Sequence, residues 1–220
     1  MSSNSMDFAK MGAAFREAGV AVSDEVIAQA QAHWQSMPAE LREDGWDDPT
    51  DFIYYALCHV NGSDSGTFQV VSGDMLCFYW EVEDPYSMFE DFLNGVNTIA
   101  KGAFSVTEIR QEMLDDSEAE ELRNHLPRNM SEFMPPEALS DGEPQRVTFC
   151  LNGKPYEYQT VVLYDWFDNG LIGYINEILK EQGVDKRLYY HSSDLCSMFC
   201  CSEGWAKDFS AKTGSPLRCQ

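Results

Sequence analysis

Positive charge is scarce in this sequence: 15 Lys and Arg stand against 37 Asp and Glu over 220 residues, a formal net charge of −22. An unpaired buried carboxylate is too costly to keep, so the excess lies on the surface. There its field repels nucleic acid and anionic lipid and attracts basic molecules. No basic patch interleaved with aromatics is present, which argues against a nucleic-acid partner. No apolar run is long enough to span a bilayer, so no membrane association is expected. The opening residues, Met1 to Asp7, lack the basic region and apolar stretch of a secretory leader. The chain therefore reads as cytoplasmic.

Chemical signatures are equally sparse. There is no phosphate-binding loop, dinucleotide fingerprint or Gly-x-Ser-x-Gly elbow. The cysteines number seven, an odd count that does not fit a secreted disulfide framework. Cys58, Cys77 and Cys150 stand inside apolar stretches, as small buried hydrophobes of a reducing compartment do. His191, Cys196, Cys200, Cys201 and Cys219 raise a zinc reading, but no Cys-x-x-Cys pair is present. Cys196 and Cys200 would point to one face of a strand and Cys201 to the other, so packing accounts for them better. His33, His59, His125 and His191 each read as isolated. No catalytic residue, metal or cofactor follows from these patterns.

What is present is a well-stocked core: 44% hydrophobic and 13% aromatic residues. Residues 1–60 read as a helical segment. Phe8, Met11 and Phe15 keep helical spacing, Ser23 caps a second helix with Val26, Ala30 and Trp34 inward, and Asp48 caps a third through Phe52, Ile53 and Leu57. A short helical piece is expected from Pro38 to Glu43. Residues 61–126 read as hairpin, helix, strand and helix, with the hairpin turning at Ser72-Gly73-Asp74. Residues 127–144 are rich in Pro, Ser and Asn and read as a linker or long loop. Residues 145–220 repeat the theme, opening on a hairpin about Asn152-Gly153. The shared order raises a diverged internal duplication as one reading of the two units. The fold class is α+β: antiparallel sheet or sheets built from hairpins, helices on one face, and the N-terminal helical segment covering an edge.

Two acidic, aromatic segments stand out. Trp80-Glu81-Val82-Glu83-Asp84 alternates, placing Glu81 and Glu83 on one face of a strand. Tyr164-Asp165-Trp166-Phe167-Asp168-Asn169 lies at a strand-to-helix junction, where helix capping explains the carboxylates without a ligand. As a binding surface, the candidate set is Glu81, Glu83, Asp84, Asp165, Trp166 and Asp168.

The C-terminal third carries a further pattern. It runs through Asn152-Gly153-Lys154 with Tyr156, Asp165-Trp166-Phe167-Asp168, Asn176 with Ile178-Leu179, Lys186 with Leu188-Tyr189, Trp205-Ala206 with Phe209, and Thr213-Gly214 with Leu217. Over about the last 70 residues, and more weakly from residue 75, the chain resembles an uncharacterised family of bacterial proteins without a settled function. The resemblance implies a bacterial, cytosolic origin and a shared fold, and it brings no catalytic residue. The chain departs from the family between His191 and Phe199.

Three functions are compatible with these features. One is a non-enzymatic binding protein, with an immunity protein neutralising a basic toxin as its particular form. The second is a carboxylate-based metal-dependent hydrolase, which requires three or more of Glu81, Glu83, Asp165, Asp168 and Asp194 to converge in a pocket. The third is a scaffold or assembly subunit with an exposed aromatic patch.

Overall fold

In the computed structural model, residues 7–38, 48–62, 67–124, 142–162 and 165–220 are described. The helical start follows the sequence signals. Helix α1 (Phe8–Glu17) opens where the Asp7 carboxylate accepts from Lys10 N. Helix α2 (Asp24–Ser36) opens on Ser23, whose hydroxyl accepts from Val26 N, and α3 (Pro49–Asn61) on Asp48, which accepts from Thr50 N. The expected piece from Pro38 to Glu43 lies, beyond Pro38, outside the described residues.

Strands β1 (Gln69–Val71) and β2 (Met75–Tyr79) form the first hairpin. Its turn takes positive φ at Ser72 and Gly73, as a tight hairpin turn requires. Helix α4 (Met88–Ala100), strand β3 (Val106–Met113) and helix α5 (Asp116–Asn124) follow. Strands β4 (Glu143–Leu151) and β5 (Lys154–Val162) turn at Asn152-Gly153, again both at positive φ. Helix α6 (Gly170–Glu181), strands β6 (Arg187–Ser192) and β7 (Leu195–Cys201), and helix α7 (Glu203–Thr213) complete the order. The fold is α+β, with two antiparallel sheets among the described residues: β1-β2-β7-β6 and β3-β4-β5.

The four-stranded sheet is buried on both faces, and β7 shows why. All seven residues of Leu195–Cys201 are buried, and both alternating sets are apolar or small. A strand with no polar face must be covered twice. One face packs Met75, Cys77, Phe199 and Cys201 against Phe15, Phe52, Leu57 and Phe209 of the N-terminal helices and α7. The other packs Leu76, Phe78, Met198 and Cys200 against α4, α6 and the three-stranded sheet. The expectation of helices on one face, with the N-terminal segment on an edge, is therefore corrected: that segment covers the second face. Gly95 lets α4 press close, since a Cβ there would lie 2.6 Å from Leu76 Cδ1.

Strands of the two units read from the sequence pair with one another. β2 pairs with β7, β3 pairs with β4, and a single apolar cluster draws on residues from Leu76 to Cys200. The first unit's opening hairpin lies in the four-stranded sheet, whereas β4-β5 lies in the other, so the hairpins of a duplication do not occupy equivalent places. Most of the predicted linker, residues 127–141, lies outside the described residues, and Glu143 and Pro144 belong to β4.

Candidate functional site

The end of β2 runs on into Trp80-Glu81-Val82, and there it meets the segment leading into α6. Val82 N donates to the Asp165 carbonyl at 2.7 Å and Phe167 N donates to the Trp80 carbonyl at 2.8 Å. Glu81 and Trp166 thus form an isolated antiparallel bridge. Directly opposed residues of such a pair project their side chains to the same side, a few ångströms apart. Phe167 turns inward and packs against Phe78, Phe89 and Phe92. Trp80 is pinned by its indole N–H, which donates to the Ser193 carbonyl at 3.0 Å. The two acidic, aromatic segments, far apart in the chain, are therefore held side by side by backbone hydrogen bonds and a shared aromatic core.

Of the six residues proposed as a binding surface, five are exposed: Glu81, Glu83, Asp84, Asp165 and Trp166, the last at 44%. Asp84 also serves its own turn, accepting from Tyr86 N at 2.9 Å and from the Ser87 hydroxyl at 3.1 Å. Asp168 does not belong to this surface. Its side chain is fully buried and accepts from the Tyr158 and Thr160 hydroxyls, both at 2.6 Å, and from Gly170 N at 2.9 Å. Helix capping accounts for Asp168, with Gly170 the first residue of α6. The neighbouring Asn169 sits at the N-cap position without a side-chain bond. Burial first, then the Asp168 charge, hold the Tyr158 phenol protonated well above its ordinary range.

Beside the Glu81–Trp166 bridge opens a cleft of about 860 Å³, between the C-terminal end of α3 and the end of β2. Its lining includes the rings of Tyr55, Tyr79, Trp80 and Trp166 and the carboxylates of Glu81, Glu83 and Asp194. No Lys or Arg lines it among the described residues. None of Glu81, Glu83, Asp165 or Asp194 enters an ion pair among the described residues, whereas Arg146 gathers Glu112, Glu118 and Glu157 on the other sheet. Cys58 and Cys77 also line the cleft. The Cys77 thiol beside it, and then burial, push the Cys58 thiol far up, so it is a protonated thiol rather than a nucleophilic thiolate.

A second constellation was invisible in sequence. Asp51, His191 and Ser215 form a chain, His191 Nε2 lying 2.6 Å from Asp51 Oδ1 and His191 Nδ1 lying 3.0 Å from Ser215 Oγ. Tyr54 stacks on the imidazole at 4.9 Å and its hydroxyl is 2.8 Å from Ser215 Oγ. Burial holds that phenol well above its ordinary range. A satisfied arrangement has Tyr54 donating to Ser215, Ser215 to Nδ1, and Nε2–H to Asp51. The residue types are those of a catalytic triad, but Ser215 has no exposed surface and none of the three lines the cleft. The group works as an internal polar network tying α3, β6 and the C-terminal segment together. His191, read from sequence as isolated, is one of its members.

The five C-terminal cysteine and histidine residues of the zinc reading are dispersed. Cys196 and Cys200 lie in one apolar cluster, Cys201 in the other, His191 in the polar network, and Cys219 is exposed. Among the described residues, no group of three or more His, Cys, Asp or Glu is placed to hold a metal ion. No helix among them is long and apolar enough to cross a membrane.

No family model matches the chain, and neither a curated protein nor a solved structure matches it significantly.

Proposed function

We propose that this chain is a non-enzymatic, cytoplasmic binding protein that captures a basic protein partner, as a bacterial immunity protein captures a basic toxin. The observation that carries this reading is the locked Glu81–Trp166 junction, where an exposed indole stands among carboxylates that enter no ion pair among the described residues. Large exposed aromatics on a rigid frame are typical interface anchors. The surrounding charge steers a cationic partner and speeds its association. The contact face is Glu81, Glu83, Asp84, Asp165 and Trp166.

The test is affinity capture from the source cells with the wild-type chain and an E81K/E83K/D165K variant. A basic partner held by the wild type at low salt, released as salt rises and absent with the variant is the expected result. Recovery of acidic partners alone, or of the same proteins with both chains, sinks the reading. The immunity form adds a second arm: the captured partner arrests growth when expressed alone, and the wild-type chain relieves the arrest while the variant does not.

One observation favours the hydrolase reading: Glu81, Glu83 and Asp194 do line a common cleft. All three are exposed to solvent, and among the described residues no three such side chains are placed to hold a metal ion. Calorimetric titration with magnesium, manganese and zinc separates the two readings, because only the hydrolase requires a divalent ion bound by these side chains.

A further inference from the structure

The acidic face and the cleft beside it are continuous through Glu81 and Trp166, and their chemistry is more specific than charge alone. Among the described residues the exposed large hydrophobics are Tyr79, Tyr86, Met113 and Trp166; two of them, Tyr79 at 51% and Trp166 at 44%, line this cleft. Strand alternation puts Tyr79 on the same face as Glu81, and the antiparallel bridge puts Trp166 there too. A carboxylate thus shares a face with two accessible aromatic rings, and Glu83 and Asp194 line the same cleft.

Resting on the proposed capture of a basic protein, we propose that this cleft receives an arginine-bearing segment of that partner, the guanidinium stacking on Trp166 and pairing with Glu81. The choice among cations follows from geometry. A guanidinium is planar and weakly hydrated; it stacks on an aromatic face while its edge binds a carboxylate through two parallel hydrogen bonds. A lysine ammonium is a compact, strongly hydrated charge that uses only one of these features. An anionic occupant meets three carboxylates, with no Lys or Arg among the described lining residues and the His59 imidazole as the only other ionisable nitrogen group among them. The cleft, at about 860 Å³, exceeds one side chain and accommodates the flanking backbone of a loop. The frame is preformed: backbone bonds fix Trp166 against Glu81, and the Ser193 carbonyl fixes Trp80. Less ordering is therefore needed on binding.

The test uses the full chain and two blocked tripeptides, Gly-Arg-Gly and Gly-Lys-Gly, titrated by calorimetry and by Trp side-chain NMR at low salt. The arginine peptide is expected to bind about tenfold more tightly than the lysine peptide, and W166A and E81Q each weaken it by about tenfold. W166F, which keeps an aromatic face, retains most of the binding and guards against a folding defect. Equal affinity for both peptides, or arginine binding indifferent to W166A and E81Q, overturns the pocket. Capture of a basic partner that persists in W166A and E81Q overturns the pocket and leaves the acidic-face function standing. Tight, Trp166-dependent arginine binding with no basic partner captured upholds the pocket and removes the function.

Discussion

Replacing Asp168 distinguishes a carboxylate that builds the fold from those that face outward. Its side chain has no exposed surface and accepts three hydrogen bonds, two from buried hydroxyls on β5 and one from the first amide of α6. Hydrogen bonds to a charged acceptor contribute about 1.5–3 kcal/mol each, and a buried donor left unmade costs about 1–3 kcal/mol. Against this stands the desolvation cost of the carboxylate itself, which D168A removes. Broken buried charge networks settle at about 3–5 kcal/mol of lost stability, and that is the value expected for D168A. For a chain of this length the loss lowers Tm by roughly 6–20 °C. D168N keeps one acceptor oxygen and is expected to lose about 1–2 kcal/mol. D165A, at an exposed carboxylate with no ion pair among the described residues, stays within about 0.5 kcal/mol of wild type. The assay is urea unfolding followed by tryptophan fluorescence, comparing midpoints at a common slope. If D168A loses less than about 1 kcal/mol, or D165A loses as much as D168A, the assignment of Asp168 to the strand-to-helix junction is wrong.

The polar network makes a second prediction: D51A and H191A each destabilise by about 3 kcal/mol, and their double-mutant cycle returns a coupling near 2 kcal/mol, measured by the same unfolding assay. A third concerns the thiols. Burial pushes Cys200 up to about 11 and Cys201 up to about 12 and raises Cys196 as well, so in the native chain Cys219 is alkylated first and Cys196, Cys200 and Cys201 only on unfolding. The same shifts fix a sign. Between about pH 9 and pH 12 the unfolded chain releases these protons while the folded chain keeps them, so stability falls as pH rises through that window, checked by melting curves against pH. Fourth, E81Q/E83Q is expected to raise stability by about 0.5 kcal/mol while weakening the proposed partner capture, because these like charges lie close together and enter no ion pair among the described residues. A fall in stability would mark them as structural.

The local grammar of the fold was open to reading. Ser23, Asp48 and Ser202 carry hydroxyl or carboxylate oxygens at helix starts, and each accepts a backbone amide in the structure. Asn152-Gly153 and Ser72-Gly73 tolerate the positive φ that short hairpin loops demand. These signals are encoded within a few residues. The pairing of hairpins is not. β2 joins β7 in register across 120 residues, from Cys77 to Ser197, and nothing local to either strand specifies the partner. One non-local feature was nonetheless written in β7: Leu195, Ser197, Phe199 and Cys201 alternate with Cys196, Met198 and Cys200, so neither face is suited to water. That composition requires two covering layers, and the N-terminal helices are the element left to supply the second.

The candidate site divides along the same line. Alternation identified Glu81 and Glu83 as neighbours on one face, and composition marked the Asp165-Trp166 junction as unusual. Their juxtaposition depends on a single bridge between residues that no periodicity connects. The junction also shows why sequence gave Asp165 and Asp168 equal standing. Entering α6, the chain leaves the strand phase, Trp166 faces out, and Phe167 and Asp168 both turn in. Three residues apart, one carboxylate meets water and the other meets Tyr158 and Thr160. The inward one rigidifies the start of α6, and the outward one leaves its charge to the solvent face. A buried acid that fixes the frame on which exposed acids stand would link stability to the proposed arginine binding. If loosening Asp168 shifts Trp166 against Glu81, D168N is expected to weaken the proposed arginine binding without touching either cleft residue, as the peptide titration reads directly.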